Sequence, residues 1–355
     1  VNLIGEHTDY NDGFVLPVAI NYHTAVAISP RPDRLIQAYA LDEAGRVEFA
    51  LDEPMQFDSE QTWSNYLRGV IAELQTAGYQ LRGADLTISG NVPLGAGLSS
   101  SAALEIALIR GLTQLSDERI DSTTAARLGQ AAENNFVGCN CGIMDQLISA
   151  QGRARHALLI DCRDLHSEAV PLPPSHQLLV INSNVKRQLV DGEYNQRRAQ
   201  CEAVAAHFKV PALRDVSLDQ LLAQADQLSD EALRRARHVI SENNRTTATA
   251  QALRAGDMET VARLMGESHI SMRDDFEITI SEIDTLVKIV EANAGSTTGV
   301  RMTGGGFGGC VIALVPEPEL DGVIAAISAD YPRETGIQPT IFQCAASDGA
   351  FAEVS

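Results

Sequence analysis

Residues 91–103 read Asn91-Val92-Pro93-Leu94-Gly95-Ala96-Gly97-Leu98-Ser99-Ser100-Ser101-Ala102-Ala103. The stretch follows a period-two run, Ala84–Gly90, and opens an Ala- and Leu-rich run with helical spacing up to Leu115. Gly95 and Gly97 permit positive φ and close backbone approach, so successive N–H groups can converge on one anion. A helix start adds unpaired N–H donors and a partial positive charge, worth about 0.3–1 kcal/mol per exposed interaction. Three serines behind the glycines supply hydroxyl donors or a cation ligand, whereas a plain helix cap needs only one. The segment therefore predicts phosphate binding through Gly95, Ala96, Gly97, Leu98, Ser99, Ser100 and Ser101. It lacks the Lys-Ser/Thr ending of a Walker A loop, and the chain has no His-Arg-Asp catalytic loop of the protein-kinase type.

A second glycine run, Gly304-Gly305-Gly306-Phe307-Gly308-Gly309, satisfies G-x-G-x-x-G. It leads into the strand-like Cys310–Val315 rather than a helix, which excludes a dinucleotide-binding fold. Five glycines in six positions exceed the needs of a bend and predict a loop pressed against a ligand or another loop. A third segment, Gly5-Glu6-His7-Thr8-Asp9-Tyr10-Asn11-Asp12-Gly13, is dense in donors and acceptors of the kind that read sugar or polyol hydroxyls. A solvated hairpin turning at Asp12-Gly13 is the plainer reading, and composition leaves both open. Glu133 ends a helical pattern ahead of the tight loop Gly138-Cys139-Asn140-Cys141-Gly142. Asp145, flanked by Ile143, Met144 and Leu147, is either a charge favoured at a helix start or a partly desolvated general base. Spacing does not choose between them.

The composition is globular: 45% of the 355 residues are apolar and 21% charged. The net charge of −20, from 27 basic and 47 acidic residues, argues against nucleic acid and anionic membrane as partners. No apolar run reaches the roughly 18–20 residues that span a bilayer. Six dispersed cysteines form neither a disulfide scaffold nor a metal-ligand pattern and predict reduced thiols in a cytoplasmic protein. The length suits two cores. We expect two α+β domains, 1–174 and 175–355, divided at Pro171-Leu172-Pro173-Pro174, the first mixed and the second helix-rich over residues 193–293. Phe14–Leu16 and Thr24–Ile28 read as strands joined by a turn, Leu35–Ala40 and Arg46–Leu51 as a hairpin, and Trp63–Ala77 and Thr123–Phe136 as helices.

Together the three segments resemble the signature motifs of the GHMP kinases. The run Gly5–Gly13 into Leu16-Pro17 is most similar to the galactokinase branch, of the bacterial type. The resemblance extends over Cys139–Gln146, Lys186–Cys201 and Met272–Val287, nearly the whole chain. It implies a ribosomal-S5-like N-terminal domain and a ferredoxin-like, helix-elaborated C-terminal domain. It implies transfer of the ATP γ-phosphoryl group to the C1 hydroxyl of α-D-galactose, the first committed step of galactose breakdown, with Mg²⁺ as cofactor. Asp145 then matches the catalytic aspartate, and Glu6, His7, Asp9, Gly142 and Tyr194 match sugar-binding positions. Ser101 and Glu133 match the Mg²⁺ positions, and Trp63 and Tyr66 the adenine pocket. The family also carries an arginine immediately before the Val-Asn-Leu-Ile-Gly-Glu run, which here falls ahead of Val1. A protein truly starting at Val1 is expected to be crippled in turnover while still able to bind galactose. A monomer is expected. Competing readings are a related kinase for N-acetylgalactosamine or a pentose, a sensor of galactose and ATP, and a non-kinase nucleotide-binding module.

Overall fold

The computed structural model describes residues 1–93, 97–185 and 190–352, the side chains of Val190 and Asp191 excepted. Its contacts fall into two compact units. One holds Val1–Val18, Gly97, Leu98 and Arg153–Ser347; the other holds Ala19–Pro93, Ser99–Gly152 and Asp348–Ala352.

In the first unit a four-stranded antiparallel sheet runs Thr340–Cys344, His176–Asn182, Cys310–Pro316, Gly299–Thr303. Val311–Val315 are at most 1% exposed; the unbroken apolar run therefore marks a strand covered on both faces, not one with a wet side. A smaller sheet orders Phe14–Val15, His156–Asp161 and Ser167–Pro171. The long Asp230–Ala255 helix packs on this sheet and on the Met258–Asp274 helix. Ser229 caps its first turn by accepting from the Ala232 N–H, and Gly256 ends it in the left-handed region at φ +71°. With the Val190–Phe208 helix and the Ser281–Asn293 helix, this accounts for the expected helical stretch over 193–293.

In the second unit the sheet order is Thr24–Pro30, Ala84–Gly90, Leu35–Ala40, Gly45–Ala50, with one parallel pair, Leu35–Ala40 beside Ala84–Gly90. The Ser64–Thr76, Ser100–Leu115 and Ser122–Ala131 helices bury Leu67, Ile71, Leu74, Ile106, Leu112 and Ala125 in a common core with this sheet.

Two expectations need correction. The Phe14 strand does not pair with the Thr24 strand; Phe14 lies opposite Asp161, and the Thr24 strand lies against Ala84–Gly90. The backbone explains why. Leu3 N–H donates to Leu16 O, Leu16 N–H to Ile4 O and Val18 N–H to Val1 O. The chain after Phe14 thus spends its hydrogen bonds on the amino-terminal run, leaving none for a local hairpin. The helix expected over 123–136 is also not uniform. It is α-helical over Ser122–Ala131 and then widens into a π-helical turn, Ala132–Val137, which ends at Gly138 with φ +91°. π-turns recur at functional sites, and this one carries Glu133.

Candidate active site

The signature segment in the first unit is not a solvated hairpin loop. Asp9–Asn11 is a single 3₁₀ turn, and Glu6, His7, Thr8 and Asn11 are all buried. The Thr8 hydroxyl donates to the carbonyls of both Gly5 and Phe14, and Asn11 Nδ2 donates to His7 O. Gly5 has φ +100°, and a Cβ there would sit 2.6 Å from Phe14 O. The glycine is therefore required by the backbone crossing, whatever the ligand.

Glu6 is 3% exposed, and donors from the protein crowd its carboxylate. Oε1 accepts from the Gly304 N–H at 2.9 Å; Oε2 accepts from Arg301 Nη2 at 2.8 Å and Asn2 Nδ2 at 3.2 Å. Arg301, fully buried, also donates to the carbonyls of Asn2 and Leu3 and to Ser268 Oγ. Behind it lies Glu242, fully buried on the Asp230–Ala255 helix. Glu242 Oε1 accepts from Gly5 N at 3.0 Å and from Ser268 Oγ at 2.6 Å, and Oε2 accepts from Arg245 Nε at 2.7 Å. Burial pushes Glu6 up to about 7 against the pull of Arg301. Glu242 lies well below the usual carboxylate range, because Arg245, His238 and Arg301 outweigh its own burial. None of Arg301, Glu242 or His238 was a candidate from the sequence. Each sits in an ordinary strand or helix pattern, and only the burial of an ionisable side chain betrays it.

The second glycine run is the hairpin between Gly299–Thr303 and Cys310–Pro316, where Thr303 faces Cys310. This confirms the rejection of a dinucleotide loop. Gly306 has φ +89°, and a Cβ there would meet Ile278 at 2.6 Å. A Cβ at Gly305 would come within 3.4 Å of the Tyr194 ring. His7 packs between the Phe276 and Tyr194 rings, at 4.8 and 5.1 Å. Its Nδ1 bonds the Tyr10 hydroxyl at 2.7 Å, while Nε2 is buried and makes no hydrogen bond of normal geometry. Asp9 is half-buried and accepts from Tyr10 N.

Burial lowers His7 to about 3 and His238 to about 4. Between pH 6.5 and about 4.5 the unfolded chain binds two more protons at these histidines, and the fold binds one more at Glu6. The net is one proton in favour of the unfolded chain. Stability from these three groups should therefore fall on acidification by about 1.4 kcal/mol per pH unit, and faster once Glu6 is protonated in both states. Glu105 and Glu133, raised by burial, oppose this trend, so the check is the difference in urea stability between wild type and His238→Gln at pH 7, 5.5 and 4.5; a difference that does not move against wild type on acidification contradicts it.

The second unit holds the other candidates. A pocket of about 650 Å³ is lined by Phe57, Trp63, Tyr66, Leu104, Ser100 and Ser101, among others. Trp63 Nε1 donates to Gln61 Oε1 at 3.0 Å, which fixes the indole. The Ser100–Leu115 helix follows Ser99, whose φ is +62°; Gly97 has φ +72°. Gly95 and Ala96 lie outside the described residues. Ser101 hydrogen-bonds Glu133. Glu133 Oε2 accepts from Gln146 Nε2 at 2.8 Å, and the Cys141 thiol lies 3.4 Å away. The same Gln146 Nε2 donates to Glu105 Oε2 at 3.0 Å. Burial, then the Glu133 charge, raises Glu105 well above the normal carboxylate range, and burial raises Glu133 as well. The Tyr66 hydroxyl is pushed up by burial and by the charges of Glu133 and Glu105, which places the aromatic pocket beside these acids. Asp145 lies in the first turn of the Met144–Gln151 helix, half-buried, after the buried Gly142. Its charge reaches both Glu105 and Glu133.

Comparison with solved structures defines the class first. A Methanococcus jannaschii mevalonate kinase aligns over 98% of this chain and 96% of its own, at 17% identity and a TM-score of 0.67. Streptococcus pneumoniae phosphomevalonate kinase aligns over 96% and 97%, at 13% identity and 0.68. These share the two-domain α+β GHMP kinase fold. Residues 65–153 match the GHMP kinase N-terminal domain, 249–333 the GHMP kinase C-terminal domain, and 1–30 the galactokinase galactose-binding signature. Lactococcus lactis galactokinase, solved in complex with galactose, aligns over 98% of this chain and 92% of its own, at 35% identity and a TM-score of 0.94. The chain belongs to the galactokinases, within the GHMP kinase superfamily.

Proposed function

We propose that the chain transfers the γ-phosphoryl group of ATP to the C1 hydroxyl of α-D-galactose. The match of residues 1–30 to the galactose-binding signature carries this reading. Glu6, His7, Asp9, Gly142 and Tyr194 contact the sugar. Two observations on the first unit support their part. His7 Nε2 is a buried ring nitrogen that makes no hydrogen bond of normal geometry, and such a group is costly unless a ligand satisfies it. Glu6 uses three of about four acceptor directions internally and keeps one for a hydroxyl. A site that bonds hydroxyls rejects analogues lacking them by large factors.

Asp145 accepts the C1 proton. ATP lies over Gly95, Ala96, Gly97, Leu98, Ser99, Ser100 and Ser101, with adenine in the pocket of Trp63 and Tyr66. The acids of the second unit fit a divalent cation. Ser101 and Glu133 present a hydroxyl and a carboxylate side by side, and no basic side chain pairs with Glu105 or Glu133 among the described residues. No set of three His, Cys, Asp or Glu ligands surrounds one point among those residues. Phosphate and water must then complete the shell, which is how Mg²⁺ is ordinarily held. Ser101 and Glu133 would hold Mg²⁺, which would neutralise charge developing on the transferring phosphoryl group. The domain division proposed is 1–174 and 175–355, and the two GHMP family matches fall on either side of it. No helix among the described residues is long and apolar enough to cross a membrane; the proposed setting is the cytoplasm, with the protein a monomer.

Incubation with Mg-ATP and a sugar panel, read by phosphorus NMR, tests the activity. Galactose 1-phosphate is expected, and phosphate on another carbon or no preference for galactose overturns the proposal. Trp63→Ala and Tyr66→Ala should each raise the KM for ATP about tenfold or more, the scale of a lost base–aromatic stack, while the KM for galactose stays within about twofold. An unchanged KM for ATP would remove them from the base pocket.

A further inference from the structure

Gln146 follows Asp145 directly and is fully buried. Its amide nitrogen is shared between two carboxylates on different elements, Glu105 Oε2 at 3.0 Å and Glu133 Oε2 at 2.8 Å. Glu105 stands one helical turn beyond Ser101, so both project from one face of the Ser100–Leu115 helix. Glu105 Oε1 and Gln146 Oε1 are buried without hydrogen-bond partners. Gly129 covers the pair, and a Cβ there would press on Gln146 Cγ at 3.2 Å. A buried acid with an unused oxygen is an expensive arrangement for a core that only has to pack. Its remaining connection is to Glu133, through Gln146.

We infer that Gln146 is a positioning residue for the cation site. Anchored on Glu105, it fixes the Glu133 carboxylate in the orientation that meets Ser101. Gln146 touches neither nucleotide nor sugar in this scheme; it occupies one lone-pair direction of Glu133 Oε2 and would leave the rest of the carboxylate for the cation. Glu105 acts one step further back, holding the amide so that its N–H group faces Glu133. Partners that orient a metal-ligating carboxylate typically contribute 10–100-fold in metal affinity. The inference rests on the proposal that Ser101 and Glu133 hold the divalent cation.

The test is Mn²⁺ binding to the full chain in the presence of a non-hydrolysable ATP analogue, followed by the electron paramagnetic resonance of free Mn²⁺. Gln146→Leu should weaken Mn²⁺ binding about 10–100-fold, with galactose binding, measured by calorimetry, unchanged. If Glu105 left unpaired unfolds that variant, the double replacement Glu105→Met with Gln146→Leu removes the stranded acid. It should show the same loss of Mn²⁺ affinity. A Mn²⁺ Kd within about threefold of wild type in a folded variant overturns the inference. Glu133→Gln separates it from its foundation: undiminished Mn²⁺ binding there refutes the cation site itself. Failure to phosphorylate galactose would refute the proposed reaction while leaving the Mn²⁺ ratios readable.

Discussion

Asp145→Asn is expected to lower kcat by about 10²–10⁴-fold, the usual contribution of a general base, while ATP binding stays within about twofold. The substitution preserves shape and removes only the charge. Asp145 is half-buried in the first turn of its helix, so the structural loss is limited to a dipole interaction of about 0.3–1 kcal/mol. Activity and stability therefore separate cleanly. Single-turnover rates and urea unfolding on the same preparation measure both. Wild-type kcat in the variant would take Asp145 out of the reaction.

Arg301→Leu is expected to destabilise the fold by about 3–5 kcal/mol, the range for breaking a buried ion pair by removing one partner. Arg301 is fully buried and is the only cation bonded to Glu6 among the described residues; Glu242 retains Arg245. Arg301→Lys should recover little of the loss. An ammonium group cannot reproduce the fork that reaches Glu6, Ser268 and the carbonyls of Asn2 and Leu3 together. Equilibrium urea unfolding decides it, and a loss under about 1 kcal/mol would mean the network relaxes around the gap.

The sequence disclosed what recurs in short windows. Gly5–Gly13, Pro93–Ser101 and Cys139–Asp145 each concentrate unusual residues within a dozen positions, and the apolar run at Val311–Val315 marked its strand directly. What it concealed is held together by distance along the chain. Arg301 reads as one charge in a short strand and Glu242 as one acid in a helix of mixed polarity. Gln146 reads as an ordinary helical residue beside the more conspicuous Asp145. Their importance arises from burial next to one another, and no local pattern encodes that. The Phe14 strand failed for the same reason. Its neighbour in sequence looked like its partner, while its hydrogen bonds went to Val1–Ile4 and Asp161.

The bond between Glu6 and Arg301 joins residues 295 positions apart. On a ribosome adding about 5–20 residues per second, the arginine follows the glutamate by on the order of 15–60 s. For that interval the signature cannot bury its acid beside its counter-ion, so a segment made 295 residues before its partner is completed late. Contacts this remote in sequence also slow folding, because the chain must close a very long loop before any energy is returned. A nascent chain stalled before residue 301 would present the galactose signature unfinished, and chaperones or proteases would meet it in that state.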